Sequence, residues 1–192
     1  MGSTPTLGTS SMFYFVPLIL FIVIALFVFP QFSPIPYFPS NKKDIPLILK
    51  VLSLKNNHTV IDLGAGDGII VFSAASEAKK RGVNASFVAV EINPVLVFIL
   101  HIRRLFHSNG KNIRILWVDM FKLDLGRVEK TKNTTVFLYV SPWLLAKIVK
   151  KIRTDLKKFD LISYLYPLPK ESTGKKVQEL KGVHVVYKYT YV

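Results

Sequence analysis

Apolar residues are distributed along the chain in two regimes. From Met12 to Phe29 they form an 18-residue run without a charge, interrupted only by Pro17. Beyond it they come in short blocks separated by amphipathic stretches. The blocks predict strands over 59–63, 86–91, 113–118, 134–140, 160–166 and 183–191. The stretches between them predict helices over 69–81, 94–107 and 142–158. Ile45, Ile48, Leu49 and Leu52 mark one face of a shorter helix over 44–54. Pro94 and Pro142 stand at helix starts, where a missing N–H costs nothing. Strands alternating with helices predict an α/β architecture: a doubly wound, Rossmann-like, mostly parallel sheet covered on both faces. The short tail after Pro169 leaves room for only a reduced C-terminal antiparallel pair. In such sheets ligands bind beyond the carboxyl ends of the strands.

The long apolar run has a different destination. At about 1.5 Å per residue, its 18 residues reach about 27 Å, near the thickness of the hydrocarbon layer. Fourteen of them are Leu, Ile, Val or Phe, so insertion is favourable by about 6 kcal/mol at roughly 0.4 kcal/mol each. No basic segment precedes it and no small-x-small site follows Phe29, which predicts an uncleaved anchor and not a signal peptide. All 26 Lys and Arg residues lie C-terminal to it, so the positive-inside rule predicts a single-pass membrane protein with its globular part in the cytoplasm. Four prolines between Pro30 and Pro39 predict a stiff, extended connector. The expected organisation is a tail over 1–11, a transmembrane helix over 12–29, a connector over 30–40 and a catalytic domain over 41–192.

The candidate chemistry is concentrated where the first predicted strand ends. Thr59-Val-Ile-Asp-Leu-Gly-Ala-Gly-Asp-Gly68 joins a buried strand to a loop with glycine at alternate positions, so that backbone can pass close to a ligand. A dinucleotide fingerprint would need its third glycine at position 69, where Ile69 stands. A second acid, Glu91, closes the next strand 29 residues after Asp62, and a carboxylate there suits vicinal hydroxyls. Asp119-Met120 follows the third strand. Tyr139-Val-Ser-Pro-Trp143 and Tyr166-Pro-Leu-Pro169 place aromatics and turns at the ends of the next two.

The acid and G-x-G-x-G of residues 62–68 resemble motif I of the seven-β-strand methyltransferases that use S-adenosyl-L-methionine (SAM). The resemblance implies that Asp62, Gly64, Ala65, Gly66, Asp67 and Gly68 wrap the amino-acid and sulfonium end of SAM. It implies ribose binding by Glu91 with Ile92 and Asn93, and an adenine contact at Asp119 and Met120. The apolar N-terminal segment, Pro36-Tyr-Phe-Pro-Ser40, residues 60–68 and Val90-Glu-Ile-Asn-Pro94 are together similar to the membrane-associated lysine methyltransferases that modify the c-type ring protein of ATP synthase. That likeness covers roughly residues 36–169 and implies that Tyr37, Pro39 and Ser40 help enclose the cofactor. Ile69 stands where these relatives commonly carry arginine. Tyr139, Ser141, Pro142 and Trp143 are the candidate catalytic residues, placed to receive the acceptor.

Composition removes several alternatives. The chain has no cysteine, and its four histidines have no ligand spacing, which argues against disulfides, thiol chemistry and a metal site. The net charge of +14 lies mainly on the outer faces of predicted helices and suits an anionic membrane surface. It would also suit nucleic acid, but Ser141-Pro142-Trp143 lacks the second proline of the motif that grips a flipped adenine. The expected function is protein-lysine N-methylation of a membrane protein, such as the small c-type component of ATP synthase. RNA or DNA methylation, and methylation of a lipid-like small molecule, stay open.

Overall fold

The computed structural model describes residues 9–28, 38–129, 131, 133–172 and 174–192. In chain order the elements are α1 (Thr9–Val28), α2 (Ile45–Leu52), β1 (His58–Leu63), α3 (Ile69–Lys80), β2 (Ala85–Glu91), α4 (Pro94–Phe106), β3 (Ile113–Trp117), α5 (Leu125–Val128), β4 (Asn133–Leu138), α6 (Pro142–Asp155), β5 (Phe159–Tyr164), β6 (Lys175–Lys181) and β7 (Val185–Tyr191). The seven strands form one sheet in the order β3-β2-β1-β4-β5-β7-β6. The first five are parallel, and β7 and β6 close the sheet as an antiparallel pair.

β1 lies at the centre, and all six of its residues are buried. A strand covered on both faces can afford no polar alternation, which is why Val60, Ile61 and Leu63 run almost continuously. On one face Val60, Phe87 and Phe137 pack with α2, α3 and α4. On the other, Ile61, Val88 and Val136 pack with α5 and α6. The strand order reverses between β1 and β4, so a crevice opens beyond their carboxyl ends, as topology requires.

Asp44 ties the segment before α2 to the far edge of this sheet. Its carboxylate is 1% exposed and accepts hydrogen bonds from the Tyr164 hydroxyl (2.7 Å), the Val183 N–H (2.7 Å) and the His184 N–H (2.9 Å). Tyr164 Oη in turn accepts the Asn41 N–H at 3.3 Å. Gly182 leaves room for the carboxylate, since a Cβ there would come within 2.2 Å of Asp44 Oδ1.

Two expectations need correction. The C-terminal antiparallel pair is complete: β6 and β7 pair from Lys175 opposite Thr190 to Lys181 opposite Val185. β6 is an edge strand carrying four charges and a register shift between Lys176 and Gln178, a composition that protects an edge but hides the strand from a hydrophobic reading. The segment expected to cross a membrane does form a helix, α1. Among the described residues, however, no helix is long and apolar enough to cross a membrane. Most of the expected connector, including Tyr37, lies outside the described residues.

Burial alone would raise the pKa of Asp44. The hydrogen bonds from Tyr164, His184 and Val183 outweigh it and hold the carboxyl below its ordinary 3.8. A depressed folded pKa stabilises the fold above the unfolded value, and that stability is lost as pH falls through the folded one. Asp44→Ala, which removes the shared acceptor of the Tyr164 hydroxyl and of the Val183 and His184 N–H groups, is expected to lower unfolding free energy by roughly 2 kcal/mol in urea titrations at pH 7. The gap between wild type and Asp44→Asn should narrow as pH falls below about 4.

Candidate active site

The crevice beyond β1, β2 and β4 is a cavity of about 970 Å³ counted to its open mouth. One wall is the loop between β1 and α3. Gly64, Gly66 and Gly68 take φ of 82°, 57° and 76°, the left-handed region that side chains disfavour. At Gly68 a Cβ would also lie 2.4 Å from Leu100 Cδ2, so this glycine seats α3 against α4.

Glu91 shapes that loop. Its Oε2 accepts the Gly66 N–H at 2.8 Å, while Oε1 accepts the N–H groups of Ile92 (2.9 Å) and Asn93 (2.8 Å). With about four acceptor positions on a carboxylate, one remains for a ligand hydroxyl. Asn93 then caps α4, its Oδ1 accepting from the Val95 N–H at 2.9 Å. From the last turn of α4, Arg103 reaches back to Asp67: its Nη1 lies 3.0 Å from Oδ2 and also donates to the Asp67 carbonyl. The guanidinium sits 4.7 Å from the Phe72 ring centroid.

Asp62 has a different environment. It is 3% exposed and lines the cavity, and among the described residues no side chain is placed to neutralise its carboxylate. Burial, then the charges of Glu91 and Asp67, push its pKa up to about 8. A buried carboxylate with no countercharge is a receptor for a cationic group.

The expected site residues fall as follows. Pro39, Ser40, Asp62, Gly64, Ala65, Gly66, Asp67, Glu91, Ile92, Asp119 and Met120 all line the cavity. Gly68 and Asn93 are instead the N-caps of α3 and α4. Asp119 Oδ1 accepts the Phe121 N–H at 2.9 Å, fixing the turn that carries Met120. Of the four acceptor candidates, Tyr139 lines the cavity; Ser141, Pro142 and Trp143 do not. Trp143 is 74% exposed, and the Ser141 side chain makes no capping bond to α6. The Tyr139 ring packs edge-on to Tyr164, with centroids 4.9 Å apart. Burial, then Tyr166, raises its pKa, so it is a neutral phenol. Tyr164 is pushed up as well, by burial and by its bond to Asp44. Among the described residues no group of three His, Cys, Asp or Glu is placed to hold a metal.

Sequence reasoning missed Asp44, Tyr164 and Arg103. They act through partners 120, 139 and 36 residues away, a distance at which no local pattern survives. The apolar lining from Phe38, Leu96, Phe121 and Phe137 was also unassigned.

Comparison with known proteins agrees with this geometry. No family model matches the chain. A lysine N-methyltransferase of Caenorhabditis elegans, named for the c-type component of ATP synthase, is 28% identical over 162 residues, 81% of this chain and 80% of that protein. A probable ribosomal RNA small subunit methyltransferase A of Methanosphaera stadtmanae is 29% identical, over 53% of this chain and 34% of its own length. Among solved structures, an RNA methyltransferase from Salinibacter ruber in complex with S-adenosyl-L-homocysteine superposes with a TM-score of 0.64 at 23% identity, covering 80% of this chain and 93% of that one. That last likeness is one of fold.

The residues present fit SAM: a glycine loop with room for backbone approach, an acid without a countercharge for the ammonium and a second acid for hydroxyls. Because Asp62 binds its proton more tightly folded than unfolded, it costs stability as pH rises from about 4 to about 8. Asp62→Asn is therefore expected to raise the melting temperature of the ligand-free protein, more at pH 8.5 than at pH 5.5. The same change should abolish the further rise produced by SAM, and scanning fluorimetry reads both.

Proposed function

We propose that this SAM-dependent methyltransferase transfers methyl groups to a lysine ε-amine of a membrane protein, with the small c-type component of ATP synthase as the leading acceptor. The reading rests on one observation. Similarity to the lysine methyltransferase of Caenorhabditis elegans runs over 81% of the chain, while similarity to two ribosomal RNA enzymes covers 53% and 62% of it.

In this reading SAM supplies a methyl on a positively charged sulfur, open to in-line attack. The chain's own residues do the remaining work. Asp62 would hold the ammonium end, Glu91 would offer its remaining acceptor position to the ribose hydroxyls and Asp119 would serve the adenine. Positioning carries most of the rate in such a displacement. The acceptor amine must be neutral to attack, and an apolar vestibule of Phe38, Phe121 and Phe137 lowers an amine pKa by withholding water. Tyr139, a neutral phenol in the same cavity, accepts a hydrogen bond from the amine and orients its lone pair. Ser141, Pro142 and Trp143 follow it at the rim and would meet the acceptor chain.

We assign residues 41–192 to the methyltransferase domain, 1–11 to a tail, 12–29 to the membrane-attached segment and 30–40 to a connector. The second reading, RNA methylation, draws on the charge of +14 and on the RNA-modifying protein of like fold.

Incubating the purified chain with radiolabelled SAM and, separately, native membranes or total RNA tests this. Label is expected in a small membrane protein, on lysine by mass spectrometry. Label only in RNA, or only in the organic lipid phase, would replace the lysine reading. Tyr139→Phe is expected to lower kcat by roughly 10- to 100-fold while leaving SAM affinity within about twofold, measured by steady-state kinetics and titration.

A further inference from the structure

α4 has two apolar faces where a surface helix needs one. Leu96, Val97 and Leu100 are buried against the sheet. On the opposite side Phe98, Ile102, Leu105 and Phe106 are 66%, 41%, 77% and 86% exposed. Their spacing of four, three and one residues puts them on a single stripe. Trp117, on the adjoining edge strand β3, is 67% exposed. α1 contacts α4, and its described side chains, 14–22 and 24, are exposed and carry no charge. The two helices thus extend one apolar surface.

The chain around the C-terminal end of that surface is basic. Arg104 lies in the last turn of α4, Lys111 follows the helix in the chain, and Lys79 from α3 donates to the Ser108 carbonyl at 2.9 Å. Lys80 adjoins it in sequence. A second copy of the chain would bring cations against cations, in a protein already at +14. A bilayer offers acyl chains to the stripe and anionic phosphates to these basic residues, the arrangement of interfacial helices.

We propose that the outer face of α4, with α1 beside it, lies in the interfacial zone of an anionic bilayer. A helix lying in the interface needs no crossing length. Because α4 starts at Pro94, two residues after Ile92 of the cavity wall, docking by this face holds the cavity near the lipid surface. The purpose of this device rests on the membrane-substrate reading. Its test measures lipid contact and not methyl transfer, so the two fail separately.

The chain has no cysteine, so one introduced thiol can be labelled uniquely. Full-length Leu105→Cys carrying an NBD fluorophore is compared with Lys150→Cys, exposed on α6 across the sheet, using phosphatidylcholine vesicles with and without phosphatidylglycerol. Emission from position 105 is expected to rise several-fold with the anionic vesicles and less with the neutral ones, while position 150 stays within about 20%. Replacing Phe98, Ile102 and Phe106 by Ser should remove the rise. An unchanged signal at 105 when the protein co-sediments with vesicles would overturn the proposal by leaving attachment to α1 alone. No sedimentation at all, or a rise that depends on protein concentration without lipid, would overturn it too.

Discussion

The Glu91 carboxylate is the interaction on which the rest of the site depends. Standing at the end of β2, it gathers the N–H of Gly66 from the neighbouring loop and those of Ile92 and Asn93 from its own turn. These three hydrogen bonds to one carboxylate tie the left-handed glycine run at Gly66 to the turn after β2. From Asn93 the constraint passes into α4, and Arg103 returns it to Asp67 in the same loop. The loop is fixed at its middle and at its exit by two ends of one strand–helix unit.

A second constraint fixes the opposite wall. Asp44, sealed under Gly182 and bonded to Tyr164, anchors the segment that places Pro39 and Ser40 on the cavity. Tyr164 also backs the Tyr139 ring. The hairpin formed by β6 and β7 is thus part of the site's support, although it contributes no residue to the cavity lining. Within this frame Asp62 is left without a countercharge, so the folded protein carries an acid whose charge is favourable only with a cation beside it.

The parallel half of the sheet was legible from the sequence because strands covered on both faces carry short, nearly continuous apolar blocks, and because β1 and β2 run into a glycine loop and an acid. β1, β2 and β4 begin or end within two residues of the expected positions for that reason. The loop and Glu91 were legible because a ligand-binding turn needs glycines at fixed offsets. β6 was not, since an edge strand is protected by the charges that disguise it. Asp44 looked like a helix-start acid and is a buried link across 120 residues. Of Tyr139 to Trp143 only Tyr139 lines the cavity, for a local reason: Pro142 starts α6, and the residues from Ser141 onward leave the lining.

On this geometry Glu91 shapes the loop that lines the cavity and is not a passive strand end. Isothermal titration of SAM into wild type and Glu91→Ala, each first shown by circular dichroism to be folded, tests it most directly. Binding is expected to weaken by at least roughly 100-fold, since the variant loses the loop's fixed geometry and a ligand acceptor together. Affinity within about threefold of wild type in a folded variant would contradict it.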